Sequence, residues 1–275
     1  MDLFFISEEN TARLEDALRR LSSGDPTPAP TLLAEFLNDI SSNGRVSVNM
    51  RPWIAADLVQ RDKYNNMYEA VEEEATLSGR HSDDLLRERL GKHFKRRTRF
   101  DDVFDEGRKF RYGALNIGGA GSPHYGTFCM VLKQSFPEAS DRLAYVKQDS
   151  LNGYTDDDGH LDQASFQNDL ATHSHRQILA ALKHVHEIDS RKVEWPRMVC
   201  SKMDYVEAIF IATIDASKID EMRITATDHR ILWELCFNAH GRKLTDAERA
   251  LAHDFLQILR ATRDKAIRLH EVPDA

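Results

Sequence analysis

The spacing of hydrophobic positions changes several times along the chain, and each change predicts an element. In residues 7–21, Leu14, Ala17, Leu18 and Leu21 recur at helical spacing, with Ser7 placed as an N-cap and Glu8 and Glu9 in the first turn. Residues 22–30 carry Pro26, Pro28 and Pro30 in alternate positions, which forces extended backbone and predicts a linker. A second helix is expected over 31–40, stopped by Ser41-Ser42-Asn43-Gly44. Arg45-Val46-Ser47-Val48-Asn49-Met50 alternates apolar and polar side chains and predicts a strand that Pro52 ends. Helical patterns follow over 53–77, with Leu58, Met67 and Val71, and over 82–96, with Leu85, Leu86 and Leu90.

Residues 110–117, 125–132 and 143–147 predict a β layer, and Gly118-Gly119-Ala120-Gly121-Ser122-Pro123 reads as a turn joining its first two strands directly. Residues 163–186 form one long helical pattern, 205–214 an apolar β-branched segment, and 228–239 and 245–269 two closing helices. Strands bracketed by helices without a βαβ rhythm predict an α+β fold of small mixed or antiparallel sheets. The expected organisation is an N-terminal helical segment with a Pro-rich linker over 1–44, an α+β core over 45–222 and a C-terminal helical pair over 223–275. No internal repeat is visible.

Composition narrows the class. The chain has 275 residues, 41% hydrophobic and 30% charged, with a formal net charge of -8. That is enough to close a core, and no apolar run approaches the roughly 18 residues of a membrane span. The acid excess argues against general nucleic-acid binding, which draws its affinity from basic charge. Met1-Asp2-Leu3-Phe4-Phe5-Ile6-Ser7 lacks the basic and long apolar regions of a signal peptide, so the expected location is the cytoplasm of the producing cell. Cys129, Cys200 and Cys236 are too scattered for a disulfide framework or a thiolate zinc site and are expected reduced and mostly buried.

Four features invite chemistry. The acidic turn around Asp156-Asp157-Asp158-Gly159 lacks the first carboxylate and the final bidentate Glu of a calcium loop and reads as a solvated turn. His173, His175, His184 and His186 lie two apart in pairs, which on a helix cannot chelate from one face; no metal is expected. Lys92-His93-Phe94-Lys95-Arg96-Arg97-Thr98-Arg99 is the one dense basic run, readable as a phosphate grip or as the solvated end of a helix. The glycines at 118–121 lead into a strand, unlike a dinucleotide or Walker loop, which leads into a helix.

Three stretches together carry a resemblance. Val46-Ser47-Val48-Asn49-Met50-Arg51-Pro52, then Arg111-Tyr112-Gly113-Ala114-Leu115-Asn116-Ile117 with Ser122-Pro123-His124-Tyr125-Gly126-Thr127, then Asp204-Tyr205-Val206-Glu207-Ala208, resemble the conserved blocks of a bacterial domain-of-unknown-function family. That family has His before the first Pro where this chain has Arg51. In overall order the blocks are also similar to ADP-ribosyltransferases, with Arg or His ending a first strand, Ser or Tyr on a second and Glu opening a late one. The resemblance implies NAD as substrate. It assigns Glu207 to the oxocarbenium-like ribose, Arg51 to the pyrophosphate or ribose, Tyr112 or Tyr125 to stacking on nicotinamide, and Asn116, Gly119, Tyr125 and Thr127 to contacts with NAD. It further implies a macromolecular acceptor, most naturally a protein, and a toxin or effector delivered by a dedicated secretion system. Two other functional classes stay open: a protein-interaction domain using the helices of 53–99, and a phosphodiester-processing enzyme using His124, His160 or the other histidines with the basic run.

Overall fold

The computed structural model describes residues 1–23, 28–137, 142–237 and 242–274. Its helices are α1 (Leu3–Glu9), α2 (Thr11–Ser23), α3 (Pro30–Asn43), α4 (Pro52–Arg61), α5 (Met67–Ser78), α6 (Ser82–Leu90), α7 (Phe94–Asp102), α8 (Ser150–Tyr154), α9 (Gln163–Asn168), α10 (Arg176–His184), α11 (Trp195–Val199), α12 (Ala226–Phe237) and α13 (Asp246–Asp264). Its strands are β1 (Arg45–Met50), β2 (Arg111–Asn116), β3 (Phe128–Leu132), β4 (Leu143–Val146), β5 (Leu170–Thr172), β6 (Glu207–Phe210), β7 (Ile219–Thr225) and β8 (Arg268–Val272). The strands form one eight-stranded sheet in the order β5-β4-β6-β2-β1-β3-β7-β8, and every pairing is antiparallel except β7 with β8. The fold class is α+β.

The period-2 pattern sorts side chains to the two faces of this sheet. Val46, Val48 and Met50 of β1, Leu115 of β2, Met130 of β3, Ala208 and Phe210 of β6, and Met222 and Ile224 of β7 point into the main core. Phe36 and Ile40 of α3, Ala55 and Leu58 of α4, Leu179 of α10 and Phe255 and Ile258 of α13 close over them. The opposite face carries a second, smaller core over β4 and β6. There Ala144, Val146 and Ile209 meet Leu3 and Phe4 of α1, Phe100 of α7, Tyr154 of α8 and Phe166 of α9. Farther along that face the residues turn polar: Ser47, Asn49, Asn116, Glu207, Glu221 and Arg223.

The local chemistry explains the element ends. Pro52 opens α4, where its missing N–H costs nothing, one residue after β1 ends at Met50. Asn66 and Glu69 form a reciprocal capping box for α5, and Thr245 and Glu248 do the same for α13. Gly79 ends α5 in the left-handed region at φ 70°.

Several expectations need correction. Ser7 lies inside α1, whose side-chain N-cap is Asp2, and the expected first helix is split into α1 and α2. The middle of the Pro-rich linker, residues 24–27, lies outside the described residues. The long pattern over 163–186 is divided into α9, β5 and α10, because Leu170 and Ala171 are taken into the sheet beside β4. The glycine-rich stretch does not join neighbouring strands: β1 sits between β2 and β3, so residues 117–127 must cross over it. The C-terminal stretch supplies strand β8 as well as its helices, and β7 runs across the expected boundary at 222. Instead of small sheets there is one continuous one.

Candidate functional site

The crossing over β1 is built as a strap. Asn49 points up from the polar face, and its Nδ2 donates to the carbonyls of Ala120 at 3.0 Å and Gly126 at 3.1 Å. Its Oδ1 accepts from the Ser122 N–H at 2.7 Å. Asn116 stitches the start of the strap, accepting from Gly118 N and Gly119 N at 2.8 and 3.0 Å and donating to Gly119 O at 3.0 Å. Arg223 of β7 donates to Asn116 Oδ1 and to Gly119 O, both at 3.2 Å. Gly126 lies so close to the backbone of Met50 and Arg51 that any Cβ there would collide with main-chain atoms. Asn49→Ala removes three hydrogen bonds and is expected to cost about 2–3 kcal/mol, read as a lowered urea midpoint with an unchanged m-value.

The strap delivers Tyr125 to a cluster gathered around Glu207. Glu207 opens β6 opposite Ala114 of β2 and Val146 of β4, is 5% exposed, and accepts from the Ser150 N–H at 2.9 Å. Burial and then the nearby Asp149 carboxylate push its carboxyl up to about 8, against the opposing pull of the Ser150 hydrogen bonds and Arg97. Tyr205, two residues earlier, shares the Glu207 face of the sheet. Asp149 caps α8 by accepting from Asn152 N at 2.7 Å and lies at the meeting point of two phenols. Tyr125 OH reaches Asp149 Oδ2 at 2.8 Å, Tyr205 OH reaches the same oxygen at 2.7 Å, and the hydroxyls are 2.8 Å apart. Tyr205 is buried while Tyr125 is 42% exposed, so the group runs from solvent towards the buried carboxyl.

Tyr112 connects this cluster to α7. It stands on the same sheet face as Glu207, and its hydroxyl donates to Asp101 Oδ1 at 2.6 Å. Asp101 is fully buried and also accepts from Tyr68 OH at 2.7 Å and from Arg97 Nε at 2.8 Å. The Arg97 guanidinium lies 3.5 Å from the Tyr112 ring centroid, a cation–π contact in a largely desolvated setting. Burial disfavours the Tyr112 phenolate, so its pKa is raised well above the ordinary value and the hydroxyl stays a donor.

The expected site residues are thus only partly gathered. Glu207 and Tyr112 share one sheet face, and Tyr125 reaches Asp149, whose charge acts on Glu207. Arg51 does not join them: Glu207 is level with Ala114 and Ser47, and Arg51 lies four residues on, roughly 13 Å along the strand at 3.3 Å per residue. It is the exposed N-cap residue of α4, whereas the cation at Glu207 is Arg97. Thr127 is half-buried beside the start of β3, at the Arg51 end of the sheet. Asn116 and Gly119 spend their polar atoms on the strap. Asp149, Tyr205, Arg97 and Asp101 were missed. The Tyr205-x-Glu207 spacing, which sets both on one strand face, was the one signal that could have found a member.

The basic run answers to the acidic turn. Lys95 pairs with Asp158, Arg99 donates to the Asp158 carbonyl at 2.8 Å, and Arg96 Nε and Nη2 donate to Thr155 Oγ1 at 2.6 Å and the Thr155 carbonyl at 2.9 Å. Gly159, at φ 85°, packs directly on the Arg96 backbone. The turn is therefore docked on α7 through Thr155 and Gly159, while Asp156, Asp157 and Asp158 stay exposed to solvent as expected. The histidines have separate local partners: His160 with Asp156, His173 with Tyr145, and His124 edge-on to Tyr125. Burial drives the His173 pKa down to about 4. Among the described residues no group of three or more His, Cys, Asp or Glu could hold a metal ion, and no helix is long and apolar enough to cross a membrane. Cys129 and Cys200 are buried, and burial pushes the Cys129 thiol up to about 11, away from nucleophilic use. No protein-family model matches the chain, and no curated protein matches it in sequence.

Proposed function

We propose that the protein is an NAD-dependent ADP-ribosyltransferase acting on a macromolecular acceptor, with Glu207 as the carboxylate that faces the ribose. The observation that carries this reading is the adjacency of β1, β2 and β6: the strand that Arg51 follows, the strand bearing Tyr112 and the strand Glu207 opens are neighbours, with Glu207 and Tyr112 on one face. Breaking the nicotinamide–ribose bond develops positive charge on the ribose, and a carboxylate in dry, aromatic surroundings stabilises that charge more than one in water. The phenols of Tyr112, Tyr125 and Tyr205 supply those surroundings. In this reading Arg51, at the far end of β1, takes the pyrophosphate of the dinucleotide, and Thr127 lies at that same end. The resemblance in sequence blocks to the domain-of-unknown-function family supports a shared fold and leaves the activity to experiment. An effector delivered to another cell remains the biological setting this chemistry suits.

The test is incubation with labelled NAD, with and without cell lysate as acceptor source, following both transfer and NAD hydrolysis. Glu207→Ala is expected to reduce either rate by about 10²–10³-fold, the scale of losing one preorganised transition-state group. Arg51→Ala is expected to act mainly on KM. The ionised carboxylate is the working form, so the rate should climb with pH through about 8. Absence of transfer, of hydrolysis and of any thermal shift with NAD would overturn the reading.

A further inference from the structure

Asp149 and Ser150 act on Glu207 in opposite directions from one turn of backbone. The Ser150 N–H donates to Glu207 Oε2 and favours the anion. The Asp149 carboxylate, adjacent in sequence, opposes it by like charge. Asp149 is itself fixed from three sides, by the Asn152 N–H it caps and by Tyr125 and Tyr205.

We propose that Asp149, clamped by Tyr125 and Tyr205, is a positioning residue that adds to burial in holding Glu207 in its protonated form. The other groups facing Glu207 do not offer this control. Arg97 of α7 is already committed to Asp101 and to the Tyr112 ring. Tyr112 of β2, Tyr154 at the end of α8, Tyr125 of the strap and Tyr205 before β6 are all held neutral, their phenols pushed above the ordinary range chiefly by burial. On β4 the residue paired with Glu207 is Val146, which has no charge. Among the described residues, Asp149 is thus the one anion set against Glu207 that is also half-exposed and reached through an exposed phenol.

The consequence is a carboxyl that is protonated in the empty site at neutral pH and becomes available as an anion when a cationic group offsets Asp149. This rests on the transferase reading only for its link to catalysis, because the titration itself is measurable in the free protein. Side-chain carboxyl NMR on glutamate-labelled protein, assigned by difference with Glu207→Gln, is expected to place the parent midpoint near 8. Asp149→Asn should lower it by about one pH unit or more, and Asp149→Ser, which keeps a capping oxygen for α8, should do the same if the first variant fails to fold. Tyr125→Phe retains the charge and should leave the midpoint nearly in place. A midpoint that stays put in both Asp149 variants overturns the proposal. A midpoint that moves, in a protein that neither cleaves nor transfers from NAD, supports the proposal and overturns the transferase reading instead.

Discussion

Asp101→Ala should unfold at a far lower urea concentration than the parent, by about 3–5 kcal/mol in stability. Three donors converge on this fully buried carboxylate: Arg97 Nε, Tyr68 OH and Tyr112 OH, at 2.8, 2.7 and 2.6 Å. Alanine leaves the Arg97 cation largely desolvated against the Tyr112 ring without its hydrogen-bonded anion, and orphans two phenols. Asp101→Asn keeps an acceptor but loses the opposite charge, so its cost should fall between those of the parent and the alanine variant. Tyr68→Phe and Tyr112→Phe each remove one donor and should cost about 1 kcal/mol apiece. A small effect of Asp101→Ala would mean that Arg97 finds water or another anion, and that the α7 side of the site is not preorganised.

Glu207→Gln is expected to stabilise the protein in alkaline solution while abolishing its proposed chemistry. The carboxyl titrates near 4.5 unfolded and about 8 folded, so between those values the folded state holds a proton that the unfolded state has lost. Stability therefore falls as pH rises from about 4.5 to about 8, and above that the full cost of a buried anion is present. The difference amounts to about 4–5 kcal/mol as an upper limit. Glutamine preserves an acceptor for the Ser150 N–H and carries no charge, so its contribution does not vary with pH. Urea unfolding at a series of pH values should show the curves of parent and variant together near pH 4 and apart by pH 9, with the variant higher. Parallel curves would show that Glu207 titrates as an ordinary carboxyl. Gain of stability on removing a group from its site is the usual sign that the group is kept for function.

The periodic patterns that specify single elements were legible along the chain. The alternation of Val46, Val48 and Met50 gives β1 with its observed ends, and the apolar positions of 110–117 and 143–147 give β2 and β4, because a half-buried strand needs only a two-residue repeat to be read. The α+β class followed from the order of such segments. The resemblance singles out Glu207, Tyr112 and Tyr125 through the order of their blocks along the chain, and Glu207 and Tyr112 lie on one face of the sheet.

Sheet order was not legible, since it depends on pairings between residues tens of positions apart and no local period reports which strands become neighbours. Thus the glycine-rich stretch reads as a hairpin turn, and only the insertion of β1 between β2 and β3 makes it a strap tied to Asn49. β8 hides at the end of a helical pattern for the same reason.

What the sequence by itself determined is the inventory: most of the helical and strand segments, β5 and β8 excepted, and that a carboxylate, tyrosines and arginines were present in a suggestive order. Only the tertiary structure decided how the charges were paired. It turned the basic run and the acidic turn, which look like separate sites, into partners, and it set Arg97 of that run to act on Glu207 while Arg51 stands apart. It also brought Asp149 to Glu207 across four α-helices and a strand of intervening chain. The physical reason is that the ionisation of a buried group depends on distances and desolvation, and both come into being only when the chain has closed around it.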